Sequence, residues 1–444
     1  MLHPPNNHRP NWAAYFRLLG KCVVYGASVL LLVACSTALA SMPAPQATTQ
    51  PTKSSVVTQT VQLPLISSGQ QVAPSPIFLP LVSNLPQIAT RLGFGMTSGS
   101  LNDFPEINSL KAGWYLNWGV NAAPAQPNGM EYAQMIRIHQ DLTCPLGSAN
   151  AHNRTLCPYV VPHSYTYQPN AAKIQQVAQA RPGSLWMIGN EIERRDWYGG
   201  GRQDEILPEL YAVAYHELYT LIKTADPLAK IAIGGVIQAT PLRIKYLDRI
   251  LDHYQLTYGV AMPVDVWNIH TFILPEKSGS WGADIPVGFS ETTGAYLFHL
   301  GSNGEVLPIM PEHIDGNLIA QQIRDFRQWM KDRGEQEKPL IISEYSVLLP
   351  NWVLGLPGDD SQSIIDFMLW SFDHFLTAKD CSLGYSADEC RLVQRWVWYS
   401  LNDVTGFNEH QAYFDPVSKA MTATGQAARQ FVQDRIQELA KRPY

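Results

Sequence analysis

The chain has 444 residues, 45% of them hydrophobic and only 16% charged. That is enough apolar material for a large core and too little charge for a disordered chain. A net charge of -6 argues against a nucleic-acid binder or a polybasic membrane binder.

Residues 1–21 are polar and basic, and residues 22–34 (CVVYGASVLLLVA) form a short apolar run. A bilayer-spanning helix needs about 20 apolar residues, so this run reads as a secretory signal. Two exits compete. Leu32-Val33-Ala34-Cys35 resembles a bacterial lipobox, which would place a lipid on Cys35, the favoured reading. Ala38-Leu39-Ala40 resembles an ordinary cleavage site. An uncleaved anchor is the remaining alternative. Residues 1–40 are therefore assigned to a signal or lipoprotein segment, and all readings place the rest of the chain outside the cytoplasm.

Residues 41–91 are assigned to a tether. From 41 to 90 there is one charged residue, Lys53, with many prolines, and Ser, Thr and Gln fill much of the remainder. Such a composition cannot bury a core. An apolar patch at 77–82 (IFLPLV) is a candidate for packing on the domain. Beyond the signal, four cysteines remain as close pairs, Cys144 with Cys157 and Cys381 with Cys390. Local pairing into two disulfides is the simplest of three connectivities and fits export.

From about residue 92 to 444 the pattern is that of one folded domain. Strands are predicted at 113–118, 132–138, 185–189, 231–236, 264–270, 340–343 and 397–401, with a weaker one near 159–162. Helical periods lie between them, at 207–224, 317–333 and 361–378. Asp226-Pro227 stops the first of these. Alternating strands and helices imply a mostly parallel sheet covered by helices, and the strand number suggests a (β/α)8 TIM barrel. No dinucleotide or P-loop glycine motif supports an open doubly wound sheet. In a barrel the reactive groups sit where strands end and loops begin.

Two strands end in glutamate. The run Leu185-Trp186-Met187-Ile188-Gly189-Asn190 leads into Glu191, and Leu340-Ile341-Ile342-Ser343 leads into Glu344. Two such carboxyls facing each other across a barrel mouth suit glycoside hydrolysis, in which one protonates the leaving oxygen and the other attacks the anomeric carbon or activates water. The competing reading is an ordinary rim ion pair with a nearby arginine such as Arg194. Glu193 would take the acid role if the first strand ended two residues later. No histidine spacing fits a catalytic metal, no G-x-S-x-G elbow is present, and no cofactor is expected.

These residues resemble the clan A glycoside hydrolases, retaining enzymes on a (β/α)8 barrel. In that clan the acid/base Glu follows an Asn at the end of strand four, and the nucleophile Glu ends strand seven. Asn190-Glu191 and Glu344 match those places. Asp226-Pro227-Leu228-Ala229-Lys230-Ile231 and Trp267-Asn268-Ile269-His270 are similar to the clan's fifth and sixth strands. Within the clan, Gly113-Trp114-Tyr115-Leu116-Asn117-Trp118 and Ile188-Gly189-Asn190-Glu191 look most like the small endo-β-1,3-glucanase-type domains. That group usually has Pro where Ile192 stands, and Phe-Gly where Tyr345-Ser346 stands.

The resemblance implies an ionised Glu344 as nucleophile and a Glu191 whose proton is retained by burial and by the nearby charge of Glu344. Asn190 would bond the sugar 2-hydroxyl and His270 would orient the carboxylates. Trp398 would floor the catalytic subsite, with Trp114, Asn117 and Trp118 along the cleft. The long stretch 273–311, with Trp281, Phe289, Tyr296 and Phe298, would form a wall. The implied protein is a secreted or lipid-tethered, monomeric retaining hydrolase of a β-linked polysaccharide, β-glucan favoured, that meets a membrane only through its N-terminus. A non-catalytic carbohydrate-binding surface protein and a cell-surface transglycosylase are the alternatives.

Overall fold

The computed structural model describes residues 87–441 apart from 146, 147, 149, 196–202, 281, 298–308 and 404–407. The signal segment with Cys35, the tether up to residue 86, the patch at 77–82, Trp281 and Phe298 lie outside the described residues. No helix among the described residues is long and apolar enough to cross a membrane.

Strands alternate with helices along the chain. The strands are β1 (Leu92–Gly95), β2 (Trp114–Leu116), β3 (Glu131–Tyr132), β4 (Gln134–Gln140), β5 (Tyr165–Gln168), β6 (Leu185–Asn190), β7 (Lys230–Gly235), β8 (Trp267–His270), β9 (Leu340–Tyr345) and β10 (Arg395–Tyr399). They form two sheets, ordered β3-β2-β1-β10-β9-β8 and β5-β4-β6-β7. All pairs are parallel except β4 with β5. Ala133, the single residue between β3 and β4, donates its N–H to Tyr115 O at 2.9 Å. Parallel bridges join Ala232 to Val266 and Val236 to Ile269, between β7 and the segment of β8. The arrangement is an α/β fold resembling a (β/α)8 barrel.

β6 and β9 are buried at every position, which is why they read as unbroken apolar runs. Their side chains divide between two cores. Trp114, Leu116, Met135, Leu185, Met187, Ala232, Ile341 and Val397 pack together in one cluster. The alternate residues, such as Tyr115, Ile136, Trp186, Ile188 and Ile342, join a larger cluster with the helices. The main helices are α1 (Gln87–Arg91), α2 (Ala171–Ala180), α3 (Pro208–Ala225), α4 (Pro241–Tyr258), α5 (Gly316–Asp332), α6 (Asn351–Leu354), α7 (Gln362–Thr377) and α8 (Ala423–Ala440). α3, α5 and α7 fall within a residue of the expected helical spans.

Three expectations change. The tether does not run to residue 91, because α1 buries Ile88 and Ala89 and its Arg91 pairs with Asp388. Residues 159–162 are not a strand; Tyr159 makes a lone bridge to Leu142, and the antiparallel strand is β5. β1 escapes pattern reading because it is Leu-Gly-Phe-Gly. Its glycines are steric requirements. A Cβ on Gly93 would lie 2.7 Å from the Trp114 indole, and one on Gly95 would lie 2.6 Å from Trp118. Both cysteine pairs are bridged, with Cα–Cα distances of 5.5 Å for Cys144–Cys157 and 4.7 Å for Cys381–Cys390.

Candidate active site

Parallel strands deliver their last residues to one end of the sheet. Glu191 follows β6 directly, Glu344 and Tyr399 lie at the ends of β9 and β10, His270 ends β8, and Trp118 lies two residues past β2. β9 is irregular here. Ile269 pairs with Ile342, but His270 pairs with Glu344, so Ser343 is skipped. The same irregularity shows against β10, between Trp396 and Trp398. Such a bulge re-aims a side chain, and Glu344 faces Glu191. One oxygen of each carboxyl and a ring nitrogen of His270 lie within 4.8 Å of one another.

Each group is held by named partners. His270 Nδ1 is 3.3 Å from Glu191 Oε1. Arg194 Nη1 donates to Glu191 Oε2 at 3.0 Å, and Arg194 Nη2 donates to Gly282 O at 3.0 Å. Trp118 Nε1 donates to Glu344 Oε2 at 3.0 Å. Trp118 meets Tyr399 edge to face at 5.5 Å, and the Tyr399 hydroxyl donates to Asp403. Glu191 and Trp118 take positive φ, 49° and 55°. That backbone is uncommon for residues with a side chain, and such residues cluster at functional sites.

The pKa directions run opposite to the expected protonation. Burial pushes Glu191 upward, but the Arg194 charge and the His270 contact outweigh it and leave its carboxyl at about 2. Burial raises Glu344 to about 7; the charge of Glu191 adds to this, while His270 and the Trp118 bond oppose it. Burial works against a charged His270, yet the Glu191 contact and the Glu344 charge raise its pKa. Below about pH 7 these directions favour Glu344 over Glu191 as holder of a shared proton, with Glu191 ion-paired to Arg194. The arginine, three residues further along the same turn, is the cause. These three groups are also the described residues best placed to hold a cation. The adjacent Arg194 guanidinium makes the position suit a proton better than a metal ion.

The remaining predicted residues divide. Asn190 is buried beside the pair; its Nδ2 donates to Gln203 at 3.0 Å, and its Oδ1 has no hydrogen-bond partner among the described residues. His270 Nε2 is likewise buried without a partner among the described residues. Trp118 is at the site, and Gly95 gives its indole room. Asn117 is half-buried and accepts from the Tyr132 hydroxyl. Trp398 is not a cleft floor. It is fully buried, against Tyr345 and Phe372, and its Nε1 donates to Gln411 O at 2.8 Å. Strand alternation puts its neighbour Tyr399 at the site instead. Trp114 is also interior, bonded to Arg91 O at 2.9 Å. Glu193 is no acid candidate, because its Oε1 accepts from buried Arg243 at 2.8 Å and from Ile237 N at 2.9 Å. The described part of 273–311 reaches the site through the Gly282 carbonyl, while Phe289 lies under Arg249 at 5.1 Å. Sequence reading missed Tyr399 and Gly95. It met Arg194 only as a competing ion-pair partner.

No protein-family model and no curated protein matches the sequence. Solved structures give coarse likenesses. A GH128 (subgroup II) endo-β-1,3-glucanase from Sorangium cellulosum is 14% identical, with 76% of this chain and 97% of that chain covered and a TM-score of 0.42. Xylanase 10B from Thermotoga petrophila is 14% identical, with 79% and 96% covered and a TM-score of 0.40. A GH5_18 protein from Streptomyces cattleya in complex with GlcNAc is 14% identical, with 77% and 75% covered and a TM-score of 0.41.

Proposed function

We propose that this protein is a retaining glycoside hydrolase of a β-linked polysaccharide, with Glu344 as nucleophile and Glu191 as acid/base. The observation that carries the reading is the convergence of these two carboxyls from β6 and β9, with oxygens within 4.8 Å of each other. Retaining pairs stand about 5–5.5 Å apart, whereas inverting pairs leave a water-wide gap of about 6.5–9.5 Å. We read the two sheets as one closed barrel, in which β3 and β4 act as one strand broken at Ala133. The bridges between β7 and β8 support that reading.

In the first step a Glu344 oxygen bonds to the anomeric carbon while the glycosidic C–O bond breaks, and the Glu191 proton goes to the leaving oxygen. In the second, water bonds to the anomeric carbon, gives its proton to Glu191 and releases the Glu344 carboxylate. The pair needs one proton, placed on Glu191. Arg194, 3.0 Å from Glu191, favours its ionised form, so Arg194 must leave Glu191 before reaction. Asn190 and His270 line the sugar-binding side, with Trp118 and Tyr399 as its aromatic surface.

The lowered pKa of Glu191 and the raised pKa of Glu344 favour a second reading with the two roles exchanged. Azide separates them. With an activated aryl β-glycoside, a Glu191→Ala enzyme rescued by azide should give the β-glycosyl azide. An α-glycosyl azide from that variant would make Glu191 the nucleophile. Wild-type turnover in Glu344→Gln would remove Glu344 from the chemistry. We also propose export with lipidation at Cys35, where an unmodified mature N-terminus at Ser41 in the mass spectrum would sink the lipid.

A further inference from the structure

Three other buried carboxylates have their own cations. Glu193 pairs with Arg243 at 2.8 Å, Asp204 with Arg137 at 2.9 Å, and Glu205 with Arg195 at 2.8 Å and with Arg154. Arg194 differs, because its carboxylate partner is the proposed acid/base. Its side chain is 13% exposed, so it is largely withdrawn from water. Among the described residues, the Glu191 and Gly282 oxygens engage two of its five N–H groups.

This creates a requirement on the substrate. An acid/base that must hold a proton cannot keep a guanidinium 3.0 Å away. Moving Arg194 off Glu191 without a replacement strands a nearly buried cation, which is strongly unfavourable. A neutral sugar offers only hydroxyls. A sugar carboxylate offers two oxygens in the geometry a guanidinium binds in parallel pairs. Binding such a sugar would take Arg194 from Glu191, and the shared proton could then settle on Glu191.

We propose that Arg194 is a specificity residue for an acidic glycan, one with a uronate carboxylate on a sugar flanking the scissile bond. The proposal rests on the hydrolase reading above and names its substrate class. Recognition and activation are then one event, since the anion that binds Arg194 also frees the acid/base.

The test uses the purified full chain with β-linked uronate-containing polysaccharides and the same polysaccharides after chemical reduction of their carboxyls to neutral hexosyl units. Neutral β-glucan is run alongside, with Glu344→Gln as the blank. At least one parent polymer should be cleaved about 100-fold faster than its reduced form, since a buried charged group left unpaired gives discrimination of that order or more. Arg194→Gln should bring the two rates close together, and Arg194→Lys should keep part of the preference. Equal wild-type rates on parent and reduced polymers, cleavage of neutral β-glucan alone, or unchanged preference in Arg194→Gln would each overturn the proposal and leave the hydrolase standing. No turnover of any glycan would remove the hydrolase reading and the inference together.

Discussion

The Trp118 indole N–H donates to a Glu344 oxygen at 3.0 Å across 226 residues of chain. It is the one side-chain hydrogen bond to Glu344 among the described residues, and it holds that acid's pKa down against burial. A bond to an ionised group contributes about 1.5–3 kcal/mol. Trp118→Phe should therefore lower kcat by about 10- to 100-fold and move the acidic limb of the pH–rate profile to higher pH. A profile with unchanged limbs would mean that the bond does not tune Glu344.

Gly95 controls the same indole from β1. A Cβ there would lie 2.6 Å from Trp118 Cη2, and the indole would have to move. Gly95→Ala should reproduce the kcat loss of Trp118→Phe in a protein of normal circular dichroism. Full activity in this variant would show that the indole position does not matter.

Glu344 also links stability to pH. Its acid is raised from 4.5 to about 7, so between those values the unfolded chain releases a proton that the native state keeps. Native stability should fall across that window and level off above it. Glu344→Gln carries no such proton, so its stability relative to wild type should improve by up to about 3 kcal/mol between pH 4.5 and pH 8. Denaturant titrations at the two pH values measure this. A variant equally displaced at both would show that Glu344 titrates normally.

Glu193 should behave as a structural residue. With Arg243 and Glu276 it forms a fully buried ion cluster. Removing one member of such a cluster costs about 3–5 kcal/mol. Glu193→Ala should lose stability of that order in a denaturant melt. A stable but inactive variant would return Glu193 to the list of candidate acids.

The Cys144–Cys157 bridge closes a loop that braces the Glu191 turn. Cys157 O accepts from Arg195 Nη1 at 2.7 Å, and Arg154 from the same loop bonds Glu205 and Ile285 O. A loop of 13 residues predicts about 3 kcal/mol of stabilisation. Replacing both cysteines with Ala should lower the melting temperature accordingly and raise the KM for substrate. Removal of Cys381–Cys390, elsewhere in the fold, should leave KM alone.

Much of this site is written in local patterns. Unbroken apolar runs mark β6 and β9 because parallel strands are buried on both faces, and a carboxyl directly after such a run falls at the strand's C-terminal end. That reasoning reaches Glu191, Glu344 and, through the Trp267–His270 strand, His270. The floor role that the resemblance implied for Trp398 fails because the strand alternates faces, and a shift of one position separates the core from the site. Pattern reading fails for β1 because two glycines erase the apolar signal.

The sequence by itself determined the alternation of strands and helices and the strand ends that carry the two glutamates, since these depend on residues close together in the chain, and it made local disulfide pairing the simplest choice. Only the tertiary structure decided what surrounds each glutamate, and so the direction of its pKa shift. A pKa is set by what lies within a few ångströms, and the groups around Glu344 come from β2, β6 and β8, far apart in sequence. The same fold turned Arg194 onto Glu191, which lowers the pKa of the residue that the resemblance had implied would keep its proton.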